Sequence, residues 1–220
     1  MRVMSLLLSV LAITAPLAGQ AQEPAASEEF RVDSELSWLR VLAYPDGPLK
    51  RFGHHHVISH NGISGTVMLA PNPLESTLML ELNVADFRVD DAASRALEGE
   101  DFDAEVPEKD IAGTRANMLG EKLLHAEQFA TIHIQSREIT GRMPDVDIVT
   151  MVTVTGMQQQ VSFPASIELT EDSFVASGQL EITHGELGLS PFEAMGGAMS
   201  VRDVLVLKYQ ISGVRIGASE

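Results

Sequence analysis

The sequence predicts an all-β, mainly antiparallel fold, an up-and-down barrel of about eight strands with one helical insertion. Three observations predict it. Run after run alternates apolar and polar residues with the period of two that buries one face of a strand. Short Gly-, Pro- and Asn-containing turns separate these runs, and helical spacing occurs at a single place, between residues 111 and 124.

The chain opens with Arg2 and an apolar run from Leu6 to Ala18. It reads as a secretory signal peptide, residues 1–21, with Gly19 and Ala21 as the small residues before cleavage after Ala21. The run is shorter than the roughly 20 residues of a membrane helix, and no later run is longer, so no integral span is expected in the mature chain. Residues 22–29 read as a flexible segment, and residues 30–216 as one barrel domain. The sequence contains no cysteine, which excludes disulfide staples, thiol catalysis and Cys-ligated zinc. A net charge of −16 at pH 7 disfavours nucleic acid and anionic membrane surfaces as partners. Nothing in the sequence sets the oligomeric state.

The first strand follows from Phe30, Val32, Leu36 and Trp38 on one parity, with Arg31, Asp33, Glu35 and Ser37 between them. Tyr44-Pro-Asp-Gly-Pro supplies a turn. The stretch KRFGHHHVISHNGISGTVML, residues 50–69, reads as the first tight hairpin, turning at Asn61-Gly62 and carrying His54, His55, His56 and His60 near its start. After Pro71-Asn72-Pro73 comes a strand with Leu78, Leu80, Leu82 and Val84 on its inner face. The acid-rich residues 98–110 read as a solvated insertion. Ile111, Arg115, Met118, Leu119 and Leu123 then predict a helix over 111–124.

Strands resume with Ile132 and Ile134 inward and His133 outward. Ile148, Val152 and Val154 follow, then Val161, Phe163, Ala165 and Ile167, with Pro164 hinting at an edge or bulge. Phe174, Ala176, Leu180 and Ile182 make an inner row that ends at His184. The last strand, residues 200–215, presents Leu205, Leu207, Tyr209 and Ile211.

The order of these segments resembles the YceI-like family. FRVDSELSWLRV from Phe30 is similar to its opening x-V-D-x-x-x-S-x-[LV] strand, and RANMLGEKLLHAEQF (Arg115 to Phe129) to its R-x-x-x-L segment. Ile132, Ile134 and Ser136 match its I-x-F-x-S strand. VTVTGMQQQVSFPASI and SGQLEITHGELGLS are similar to its late strands. Thr155-Gly156 stands where the family usually has His-Gly, and His184 or a neighbour where it has Arg. The resemblance implies a lipocalin-like barrel in a periplasmic or secreted protein that encloses an isoprenoid, quinone-type or other long lipid chain, without catalysis.

An eight-stranded barrel has an interior just wide enough for packed side chains or one small guest. The expected lining is Trp38, Leu78, Leu80, Leu82, Ile132, Ile134, Val152, Val154, Val161, Phe163, Leu180, Ile182, Leu205 and Leu207, with His184 and Tyr209 as a polar rim. The competing reading is a metal-dependent binding protein or enzyme. His54 and His56 project to one side of a strand, about 6.5–7 Å apart, and could share an ion. If Ile58 points inward these two histidines see the interior; if Val57 does, His55 sees it. A third reading makes residues 98–110 a docking site for a basic partner. No G-x-S-x-G elbow, P-loop or H-E-x-x-H signature is present, and no cofactor fingerprint.

Overall fold

The computed structural model describes residues 27–217. The expected signal peptide, its cleavage point and most of the expected flexible segment lie outside the described residues.

The strands in chain order are β1 (Glu28–Val32), β2 (Trp38–Ala43), β3 (Pro45–Asp46), β4 (His56–Asn61), β5 (Ser64–Leu69), β6 (Thr77–Asn83) and β7 (Arg88–Val89). After two helices, α1 (Ala92–Arg95) and α2 (Glu108–Leu119), come β8 (Thr131–Arg142), β9 (Asp145–Val154), β10 (Met157–Leu169) and β11 (Ser173–Thr183). The chain finishes with β12 (Glu193–Ala194), β13 (Met199–Val201) and β14 (Val204–Arg215). β3, β12 and β13 form a small sheet of their own. The others make a closed antiparallel barrel of eight staves, three of which are bent.

The first stave is β1 continued by β2, the second is β4 continued by β5, and the third is β6 continued by β7. β2 pairs with β4, Ala43 opposite His56 and Trp38 opposite Asn61, while β1 pairs with β5, Arg31 opposite Thr66. β6 pairs with β5 and β7 with β4. β14 closes the ring by pairing with β11 along its length, with β2 over Val206–Gln210 and with β1 over Gly213–Arg215.

This pairing overturns the expected hairpin at Asn61-Gly62. β4 and β5 run in the same direction, and Gly62, with φ of 88°, bends one strand instead of reversing it. On the facing stave the Asp33 carboxylate accepts the N–H groups of Glu35 and Leu36, and Gly62 N–H donates to the Ser34 carbonyl. The bend on one stave therefore meets a turn on its neighbour. The connection between the two staves runs through residues 44–55.

The same turn shifts the phase of β2. From Trp38 onward the odd residues Leu39 and Val41 face inward, while Trp38 turns out and stacks under the Arg40 guanidinium, 3.8 Å from its ring centre. β1 begins at Glu28, within the segment expected to be flexible.

α2 starts and stops about one turn before the expected 111–124. Pro107 precedes it, Glu108 and Asp110 lie in its first turn where the helix dipole favours acids, and Gly120 ends it in an extended conformation. Residues 98–106 are not merely solvated. Glu98 carries no exposed side-chain surface and bridges Arg40 and Lys208, the latter at 2.5 Å, while Phe102 is buried against Leu42 and Val57. The other acids, Glu100, Asp101, Asp103 and Glu105, stay exposed. The segment is a strap across the outer face of β2, β4 and β14, and it buries a small second core there.

Candidate functional site

A cavity of about 640 Å³ occupies the barrel, within the range of small-molecule sites. Ile139, Ile148, Ala165 and Ile167 line it toward one end. Leu78, Leu80, Ile134, Val152, Phe163, Leu207 and Tyr209 follow along its length, and Leu82, Ile132, Val154 and Leu205 lie toward the other end. These are the inner members of alternating strands, so the period of two that forms the sheet also makes the lining apolar.

The charged and histidine side chains gather at the second end, where α2 lies across the opening and contributes Lys109, Asp110, Thr114 and Asn117 to the lining. On β4 it is Ile58 that faces the cavity, and His54 and His56 share its parity and line the cavity too. Val57 points the other way, beneath the strap. His55 stacks outside on Tyr44 and Phe102.

His56 is held with unusual firmness. Its Nδ1 lies 2.6 Å from Asp90 Oδ2, and the other Asp90 oxygen accepts the Val57 N–H at 2.9 Å and the Arg95 guanidinium at 2.6 Å. Arg95 also donates to the carbonyls of His55, Phe102 and Ala104. Burial alone would raise the pKa of the fully enclosed Asp90 carboxyl. The hydrogen bonds from His56, Val57 and Arg95 outweigh it and hold that pKa below the usual carboxylate range. Asp90 takes a left-handed backbone, φ 54°, to reach this position. The remaining ring nitrogen of His56, Nε2, lies 3.4 Å from the Thr114 hydroxyl, and His54 Nε2 lies 3.4 Å from Asp110. Among the described residues no three His, Asp or Glu side chains converge to hold a metal ion.

The model of the YceI-like domain matches residues 49–212. The chain belongs to the YceI-like family. No curated protein matches its sequence. Among solved structures it is similar to Burkholderia cenocepacia BcnA, at 14% identity and a TM-score of 0.60, over 82% of this chain and 98% of that one. A Campylobacter jejuni YceI protein aligns at 8% identity and a TM-score of 0.49, over 69% and 80% of the two chains. At such identities the likeness to BcnA concerns the fold, which this YceI-like chain shares as a lipocalin-like eight-stranded barrel.

Four residues expected in the lining do not border the cavity of this YceI-like barrel. Trp38 is outside, for the reason of phase given above. Val161 and Ile182 are buried in the core packing, and Leu180 packs partly against it. At that end Leu187 and Leu189 line the cavity instead, brought back by the helical turn after His184. His184 lines the cavity and is buried, its Nδ1 2.9 Å from the Asp203 carbonyl. Tyr209 lines it as well, with its hydroxyl spent on a backbone carbonyl.

Asp90, Arg95 and Thr114 escaped the sequence reading. The contact between His56 and Asp90 spans 34 positions and leaves no local spacing to detect. The available signal was the alternation His54, His56, Ile58, which puts both imidazoles on whichever face Ile58 occupies.

Proposed function

We propose that this protein is a non-catalytic carrier or sequestering protein for an apolar, chain-like lipid of the isoprenoid or quinone type, acting in the periplasm or after secretion. One observation carries the reading. The cavity extends along the staves with an almost wholly apolar wall, and its charged and histidine side chains gather at one end. A chain entering it would leave water along its length, at about 0.8 kcal/mol for each buried methylene. A head group would stop at the polar end. Membership of the YceI-like family supports a binding role, and the signal-like opening supports export.

The test is gentle purification followed by native mass spectrometry and solvent extraction, with uptake of geranylgeraniol by the emptied protein. Recovery or uptake of one long apolar chain per barrel is the expected outcome. A protein that neither carries nor takes up such a chain would sink the reading.

A further inference from the structure

Resting on the lipid-carrier reading, we propose that the polar end of the cavity is a head-group site in which His56 and Thr114 hold the hydroxyl of an uncharged amphiphile, a long-chain alcohol or phenol. The Asp90 carboxylate accepts the Nδ1–H of His56, so in the neutral ring Nε2 carries the lone pair. That nitrogen faces Thr114 at 3.4 Å, too long for a strong hydrogen bond, and both residues line the cavity. A ligand hydroxyl seated between them donates to Nε2 and accepts from the Thr114 hydroxyl. A carbonyl or an ether in the same place cannot donate, and leaves the nitrogen without a partner.

The rigidity of the site supports a specific role. Asp90 is fully enclosed and held from three directions, by His56, the Val57 N–H and Arg95, and Arg95 is itself fixed by three carbonyls. The imidazole is oriented before any ligand arrives, so little ordering remains to oppose binding. The charge of the site argues for a neutral head. Arg95 is committed to Asp90 and to backbone carbonyls, and Asp110 faces His54 at the same opening. A phosphate head would find Lys109 and His54 there, set against the Asp110 carboxylate.

The experiment compares four probes of one chain length by calorimetry on the emptied protein: geranylgeraniol, its methyl ether, geranylgeranyl phosphate and the saturated hydrocarbon phytane. The alcohol is expected to bind about tenfold tighter than the ether, the value of one buried hydrogen bond with a satisfied acceptor. His56→Ala should erase most of that preference, Thr114→Val should weaken the alcohol and the ether alike, and both should leave phytane binding unchanged. Thr114→Val keeps the shape of the side chain and does not touch Asp90, so it reports on the site even if the His56 variant unfolds. Equal binding of alcohol and ether, or tighter binding of the phosphate, overturns the head-group site and leaves the carrier reading standing. Binding of none of the four overturns both.

Discussion

The Tyr209 hydroxyl donates to the Pro164 carbonyl at 2.6 Å, from β14 to β10. Between them lies Gly178 of β11, where an added Cβ would stand 2.2 Å from the Pro164 oxygen and 2.6 Å from the Tyr209 hydroxyl. The ladder between β10 and β11 covers only Ser166–Leu169 against Phe174–Ser177, and Pro164, just past its end, has no N–H to extend it. Tyr209 thus ties the wall where the backbone ladder stops. Burial pushes its phenol pKa well above the ordinary value, so it remains a donor at any working pH. Tyr209→Phe should lower stability by about 1 kcal/mol, and Gly178→Ala by about 1–3 kcal/mol because the backbone must shift. Denaturant midpoints at unchanged slope are the measurement.

Asp90 should make the fold sensitive to acid. Its folded pKa lies below the unfolded value, so its contribution is present above about pH 4 and is lost as pH falls through the folded pKa. Asp90→Asn strands Arg95 and His56 and should cost about 3 kcal/mol at pH 7. The gap between wild type and variant, followed by chemical denaturation from pH 7 to pH 3, should narrow at the acidic end. A gap that stays constant would show that the Asp90 carboxyl has the same pKa folded and unfolded.

The strap is expected to contribute to stability from outside the barrel. Phe102→Ala opens a hole over Leu42 and Val57 and should cost about 3 kcal/mol. Replacing the exposed Glu100 and Asp103 with Gln and Asn should change stability by less than about 0.5 kcal/mol. Thermal melts of the two variants separate an anchored segment from a solvated one.

Ala176 lines the cavity on β11 and is small. Ala176→Phe places a ring in the path of an entering chain. Uptake of geranylgeraniol should fall at least about tenfold, the equivalent of losing roughly two buried methylenes. Circular dichroism should show the barrel intact; unchanged uptake would mean that the chain does not pass Ala176.

The barrel was legible because nearly every stave after Pro73 is a long uninterrupted alternation. Leu78, Leu80, Leu82, Ile132, Ile134, Val152 and Val154 follow from parity alone, and all line the cavity. The first two staves were harder because each is bent. Asn61-Gly62 is the preferred centre of a tight hairpin, yet Asn61 remains paired with Trp38, so tertiary pairing overrode local preference. The turn at Asp33–Leu36 on the facing stave reversed the parity of Trp38. The strap was misjudged because its composition is acidic on average, whereas its attachment depends on Glu98 and Phe102, whose partners Arg40, Lys208, Leu42 and Val57 are distant in sequence.

Arg95 gives the strap a reach beyond its own side of the wall. One guanidinium grips Asp90, which aims an imidazole into the interior, and also the Phe102 and Ala104 carbonyls of the outer segment. Inside and outside share a single fastening. Replacements along the exterior strap are therefore coupled to the aim of His56, a side chain they never touch.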